Sequence, residues 1–373
     1  MLRRRQHLAG TKLLRVCSRL VGSQITGKTA TARARVLDTI GIDERLPEWL
    51  AEEAEKRGIK IDEHTIGRLV ALASKPPAGY SRPKRTDLAV VLCHFNPAGW
   101  QRPPRLLYET CESVVAAGIT PVVAQLVLPG RSPSPLPAGV RQIVYQSDSV
   151  LFHKENLWNL TARETSEDKI LFLDGDIYFS RRDIFDAVSE CLDTHDIIQP
   201  FSTACWLAKD GGVELVREPA VMAVAAGEQP VLGKYHPGFA WALTRKAFDD
   251  IGGFFERHPL GGGDAAIAFS LTPGEPRLPK TDNHAFAMSE PYKAYRDRVL
   301  SLNLRIGCVD GAVYHLWHGD RKDRGYEERY KFLPPHNNGE YPLRSRPDGL
   351  LEWDSPEYNA KALAYFARRM EDG

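Results

Sequence analysis

The chain has 373 residues, 43% of them hydrophobic and 26% charged, with a formal net charge of +1. That is enough apolar material to bury one large core or two modest ones, and it excludes a disordered chain, a collagen-like repeat and a uniformly basic nucleic-acid-binding protein. No apolar run reaches the roughly 18 residues a membrane-spanning helix needs, and six scattered cysteines without a CxxC pair, behind an N-terminus with no signal-peptide pattern, predict a reducing, cytoplasmic setting without a disulfide frame or a cysteine zinc site.

Residues 1–36 carry nine Lys or Arg and no Asp or Glu. Such a block reads as a solvated arm or as one that contacts nucleic acid or an acidic surface, and its Ser, Thr and Arg richness also matches an organelle transit peptide. Residues 37–80 read as a helical module and linker. Leu46, Trp49, Leu50 and Ala54 make one apolar stripe and Ile66, Leu69, Val70 and Leu72 a second, before KPPAGYSRPKR (75–85) breaks the pattern. A main domain spans 86–335. Its opening run LAVVLCHF (88–95) reads as a buried parallel strand, followed by a helix around Leu106 to Ala117, strands at 120–128 and 140–146, a helix over 154–166, and the strand KILFL (169–173). This alternation predicts an α/β fold with a mostly parallel sheet. Ligands on such sheets bind beyond the carboxyl ends of the strands, which points at Phe95, Asn96, Asp174 and Asp176. The extension 336–373 ends in an amphipathic helix with Ala362, Leu363, Tyr365 and Phe366 set to pack on the main domain.

Three islands carry chemistry. KILFLDGDIYF (169–179) places Asp174 and Asp176 at alternate positions past a strand, where they can share a hard divalent cation, with Gly175 leaving the backbone free to turn. Asp and Gly are also ordinary turn residues. In LGGGDAAIAF (260–269) the glycines, Gly262 and Gly263 among them, let the backbone approach a ligand, and Asp264 opens a helix either as an exposed carboxylate or as a simple N-cap. In VYHLWHGDRKDRGYEERY (313–330), His315 and His318 suit Mn²⁺ together with carboxylates, or are satisfied core or surface imidazoles. Arg321, Lys322, Arg324 and Arg329 follow as cations able to hold a diphosphate.

Together, DGD after a strand, GFAWALTRKAFDDIGGFFE before GGGD, and HLWHG resemble the GT-A-fold glycosyltransferases over roughly residues 88–330. The resemblance implies a GT-A (Rossmann-like) nucleotide-sugar fold in which Asp174 and Asp176 bind Mn²⁺ or Mg²⁺ on the diphosphate of a donor. It also implies that His318 or His315 completes the metal shell and that Asp264 is the general base of an inverting, hexosyltransferase-like reaction. The family's G-G-E-D segment has Gly263 in place of its Glu here, which leaves the acceptor sugar open. CHFNPAGW (93–100), FHKENLWN (152–159), HPGFAWA (236–242) and DGLLEW (348–353) extend the resemblance to galactosyltransferase-like GT-A proteins of phages and bacteria. On that pattern Phe95 and Asn96 lie near the base or ribose, Lys154 and Asn156 contact uracil or ribose, Arg321 or Arg324 covers the β-phosphate, and Trp241 and Trp317 either stack on sugar faces or belong to the core. The expected activity is metal-dependent transfer from a nucleotide sugar, UDP-linked by preference, to an acceptor hydroxyl. The alternatives are a phage-type enzyme acting on hydroxymethylated pyrimidines in DNA, and a non-catalytic sugar- or nucleic-acid-binding module.

Overall fold

The run LAVVLCHF forms β1 (Leu88–Phe95), whose first five residues are all buried because the strand lies inside a sheet covered on both faces. The computed structural model describes residues 87–230, 233–272, 274, 286–325, 329–331, 333 and 339–373; the arm expected over 1–36 and the module and linker over 37–80 lie outside the described residues. After β1 come α1 (Arg102–Ala116), β2 (Val122–Val127), β3 (Arg141–Gln146), α2 (Lys154–Arg163), β4 (Lys169–Leu173), β5 (Ile177–Phe179), α3 (Ile184–Leu192), β6 (Ile197–Gln199), β7 (Thr203–Leu207), β8 (Val213–Pro219) and α4 (Ala220–Ala225). The chain continues through β9 (Tyr235–His236), β10 (Ala240–Thr244), α5 (Arg245–Ile251), α6 (Gly263–Ser270), α7 (Glu290–Ser301), β11 (Ile306–Cys308), β12 (Ala312–His315), β13 (Leu343–Ser345), β14 (Leu351–Trp353) and α8 (Glu357–Arg368).

The main sheet has seven strands in the order β11-β6-β10-β4-β1-β2-β3. Every pairing in it is parallel except those of β10 with β4 and β6, so the α/β fold with a mostly parallel sheet is the one the structure shows. Successive strand residues point to opposite faces, and the two cores divide accordingly. Val91, Phe172 and Trp241 join Trp158 of α2, Phe248 of α5 and Tyr292 of α7 on one side. Val90, Leu92, Leu171 and Leu173 meet Leu107 and Cys111 of α1 and Phe185 of α3 on the other.

A second sheet, β5-β12-β7-β8-β9, stands at the carboxyl end of β4. β5 begins directly after Asp176 and pairs antiparallel with β12, putting His315 opposite Ile177, and Leu316 N donates to Asp176 O at 2.8 Å. This pairing carries the third motif to the first across the intervening chain.

The β13–β14 hairpin and α8 pack on the main domain, where Tyr358, Ala362, Tyr365 and Phe366 share a core with Val150, Leu151, Leu260 and Tyr330. Leu363 departs from expectation: it is 39% exposed, on the outer side of a helix whose buried stripe is Tyr358, Ala362, Tyr365 and Phe366. Among the described residues the five cysteines are free thiols, and no helix is long and apolar enough to cross a membrane.

Candidate metal centre and active site

The end of β4, the end of β12 and the start of α2 and α6 converge on one place. His318 Nε2 lies 2.7 Å and His315 Nε2 3.6 Å from Asp176 Oδ2. One ligand atom from each of Asp176, His315 and His318 falls within a 4.8 Å cluster, while Asp176 Oδ1 is buried with no hydrogen-bond partner. A carboxylate and two imidazoles with an unused buried oxygen fit a Mn²⁺-class cation by donor chemistry. Burial pushes the Asp176 carboxyl up, but His315, His318 and Arg324 outweigh it and hold it below the usual carboxylate range. Burial also drives His315 well below the ordinary imidazole value, keeping it in the neutral form that binds metals.

Asp174 is sorted away from this cluster. Its Oδ1 lies 3.2 Å from Lys154 Nζ, which donates to both oxygens of Asp264 at 2.8 Å. Lys154 is nearly fully buried and its ammonium rests 4.8 Å from the centre of the Trp158 ring. Burial opposes its charge, but Asp174, Asp264 and Glu155 overcome that and raise its pKa. Asp174 is pushed up to about 7, chiefly by burial, with the neighbouring carboxylates adding to the push against the pull of Lys154.

Asp264 stands in the first turn of α6, where its charge meets the positive end of the helix, and the N-cap is Gly262. The connection from β9 to β10 passes so close that a Cβ on Gly238 would sit 2.8 Å from Asp264 Oδ2 and 3.1 Å from His236 Nε2. Gly263 has a different neighbour. A Cβ there would fall on the Glu155 carboxyl, which is buried with both oxygens lacking a hydrogen-bond partner and is raised by that burial to about 8. The space of a side chain at 263 is therefore filled by Glu155 from α2.

Several expectations change. Trp241 is not a sugar platform: it is fully buried inside the main sheet and its Nε1 donates to Pro237 O at 2.8 Å. Asn156 does not face a nucleotide, because Nδ2 donates to Gly349 O at 3.1 Å and Oδ1 accepts from Leu351 N at 3.0 Å, tying α2 to the β13–β14 hairpin. Asn96 spends its side chain on its own turn, accepting from Gly99 N and Trp100 N and donating to Trp100 O. Lys154 is held by two carboxylates rather than presented to a base or ribose. Phe95 packs edge-on against Phe152 at 5.0 Å and Phe366 at 6.2 Å, still half open at the end of β1. Arg324 is buried, with Nη1 3.4 Å from His315 Nε2, while Arg321 lies 5.9 Å from the Trp206 ring centre. Trp317 is buried beneath Arg102 and Lys209.

Four contributors were not among the residues that the sequence motifs pointed to. They are Glu155, His236 beside Asp264, and the pair Arg369–Glu371. Arg369 Nη2 and Glu371 Oε1 are 2.7 Å apart, and the same oxygen is 3.4 Å from His318 Nδ1. Burial works against the Glu371 charge, but Arg369 and His318 bring it down to about 2.

No family model and no curated protein matches this chain. Solved structures show distant likenesses to it. Glucosyl-3-phosphoglycerate synthase from Mycobacterium tuberculosis, in complex with Mn²⁺, UDP and glucosyl-3-phosphoglycerate, is 13% identical over 68% of this chain and 84% of its own, with a TM-score of 0.37. A mannosyltransferase from Pyrobaculum calidifontis, bound to GDP-Man and Mn²⁺, is 15% identical over 69% of this chain and 77% of its own, at 0.31. TarS of S. aureus, in complex with UDP-GlcNAc, is 12% identical over 58% of this chain and 71% of its own, at 0.37.

Proposed function

We propose that this chain is a metal-dependent, GT-A-type glycosyltransferase that moves a sugar from a nucleotide diphosphate, UDP by preference, to an acceptor hydroxyl. The observation that carries the reading is the meeting of Asp176, His315 and His318 at the carboxyl end of β4, beside the Lys154–Asp264 pair. Asp176 with His318 or His315 would hold Mn²⁺, or Mg²⁺ in its place. The cation would neutralise the donor diphosphate and act as a Lewis acid on the leaving group. Arg324 beside His315, and Arg321 farther out, add positive charge on the side where a diphosphate would lie.

Asp264 is the general base. Lys154 uses one acceptor position on each of its oxygens and holds the carboxylate in place, and the remaining lone pairs can take a proton. The acceptor oxygen attacks the anomeric carbon as its proton passes to Asp264, the bond from that carbon to the β-phosphate oxygen breaks, and the configuration inverts. Such proton transfer contributes on the order of 10²- to 10⁴-fold.

The test is nucleotide release over a panel of sugar nucleotides with Mn²⁺, with and without hydroxymethylated DNA, comparing wild type with Asp176→Asn. Release that requires both the metal and Asp176 is expected, and stimulation by the DNA would make that polymer the acceptor. A folded wild type silent with every donor, or full activity in Asp176→Asn, would overturn the reading in favour of a binding module.

A further inference from the structure

Beyond α8 the chain turns back over the metal cluster as a short strap. Asp372 anchors it, accepting from Gln101 N at 2.9 Å and Arg102 N at 2.7 Å at the start of α1. The indole of Trp100 donates to Phe366 O at 3.2 Å at the other end. Between these anchors the strap runs against Gly319, whose φ is +90°, so tightly that a Cβ there would lie 2.6 Å from Met370 O. The glycine of HLWHG is thus the residue that admits the strap, and Glu371 arrives beside the histidine that precedes it.

We propose that Glu371 is a positioning residue for His318, and that His318 rather than His315 is the imidazole prepared to bind the metal. The inference rests on the metal reading given under Proposed function. A neutral imidazole carries one N–H and one lone pair. The Glu371 carboxylate, paired with Arg369, lies 3.4 Å from Nδ1, a charge contact that favours the ring proton on that nitrogen. Nε2 lies 2.7 Å from Asp176 Oδ2, so a cation held between them would take the place of a proton there and leave the ring proton on Nδ1, facing Glu371. Carboxylates that fix a metal-binding imidazole from its far nitrogen contribute substantially to metal affinity. His315 is set differently, because the guanidinium of Arg324 lies 3.4 Å from its Nε2 and a second cation there would be repelled.

The experiment titrates Mn²⁺ against the full chain, following the free ion by electron paramagnetic resonance, for wild type, Glu371→Ala, Glu371→Gln and Asp372→Asn. Melting temperatures are recorded in parallel. Glu371→Ala should bind Mn²⁺ about 10- to 100-fold more weakly. Glu371→Gln, which keeps a carbonyl oxygen facing Nδ1, should lose less, and Asp372→Asn should bind like wild type. Wild-type affinity in Glu371→Ala would overturn the proposal. So would an equal loss in Asp372→Asn, which would make docking of the strap, not the carboxylate, responsible. A wild type that binds no Mn²⁺ would sink the metal reading itself, whereas a wild type that binds it with no loss in Glu371→Ala would sink the Glu371 link alone.

Discussion

Lys154 is held between Asp174 and Asp264, and its removal has a calculable cost. The two carboxylates lie 3.2 and 2.8 Å from the same ammonium nitrogen, so they are no more than about 6 Å from each other. Two unit negative charges at that separation repel by about 3 kcal/mol at an effective dielectric constant of about 20. This matches the low end of the roughly 3–5 kcal/mol lost when one partner of a buried ion pair is deleted. Lys154→Met, which keeps most of the apolar stem over Trp158, should therefore lower stability by about 3–5 kcal/mol and the melting temperature by about 5–8 °C. Urea unfolding at pH 8, followed by tryptophan fluorescence, measures it. The second arm is the double variant Lys154→Met/Asp264→Asn, in which only one carboxylate remains charged. It should recover a large part of the loss, a non-additivity that marks residues in one electrostatic unit. A cost below about 1 kcal/mol for the single variant, or a second substitution that adds its own penalty, would refute the account of Lys154 as the counter-charge of the site.

Two further predictions concern groups packed against the site. Gly263→Ala places a methyl group on the Glu155 carboxyl and should cost about 1–3 kcal/mol as an overpacked substitution; adding Glu155→Ala should restore stability, and failure of that rescue in urea melts would contradict the contact. His153 is pushed down to about 4 by burial, against the opposing pull of the Ser149 carbonyl and of Glu352. Because its folded pKa lies below its unfolded value of about 6.5, the neutral form's contribution is complete above pH 6.5 and is lost as pH falls through 4. Wild type should consequently lose about 2.5 kcal/mol more than His153→Gln between pH 7 and pH 4.5, and parallel pH profiles would exclude the assignment.

The parallel half of the sheet was legible because its strands are long apolar runs. β1 coincides with LAVVLCHF and β4 with KILFL. Strands β5, β6, β9, β11 and β12 are only two to four residues long, too short to show a period, and the second sheet that brings His315 to Asp176 went unread for that reason. Asp176, His315, His318 and Asp264 were recognisable from residue type and position after apolar segments. Glu155 and Glu371 were not, since their meaning lies in contacts with Gly263 and His318 that are remote along the chain. Trp241 and Asn156 mislead for the opposite reason. A tryptophan in AWALT reads equally as a platform or as core, and an asparagine at a helix start gives no sign that a hairpin two hundred positions onward will use both ends of its amide.

The strap over Gly319 also sets an order of assembly. Synthesis runs from the N-terminus, so all seven strands of the main sheet and both histidines have emerged before the stretch that touches His318 from its far side. A nascent chain can build its sheet with the HLWHG segment in place, yet Arg369, Glu371 and Asp372 reach the centre only once α8 has docked. On the metal reading proposed above, competence to hold a cation would then lag behind folding of the sheet during synthesis.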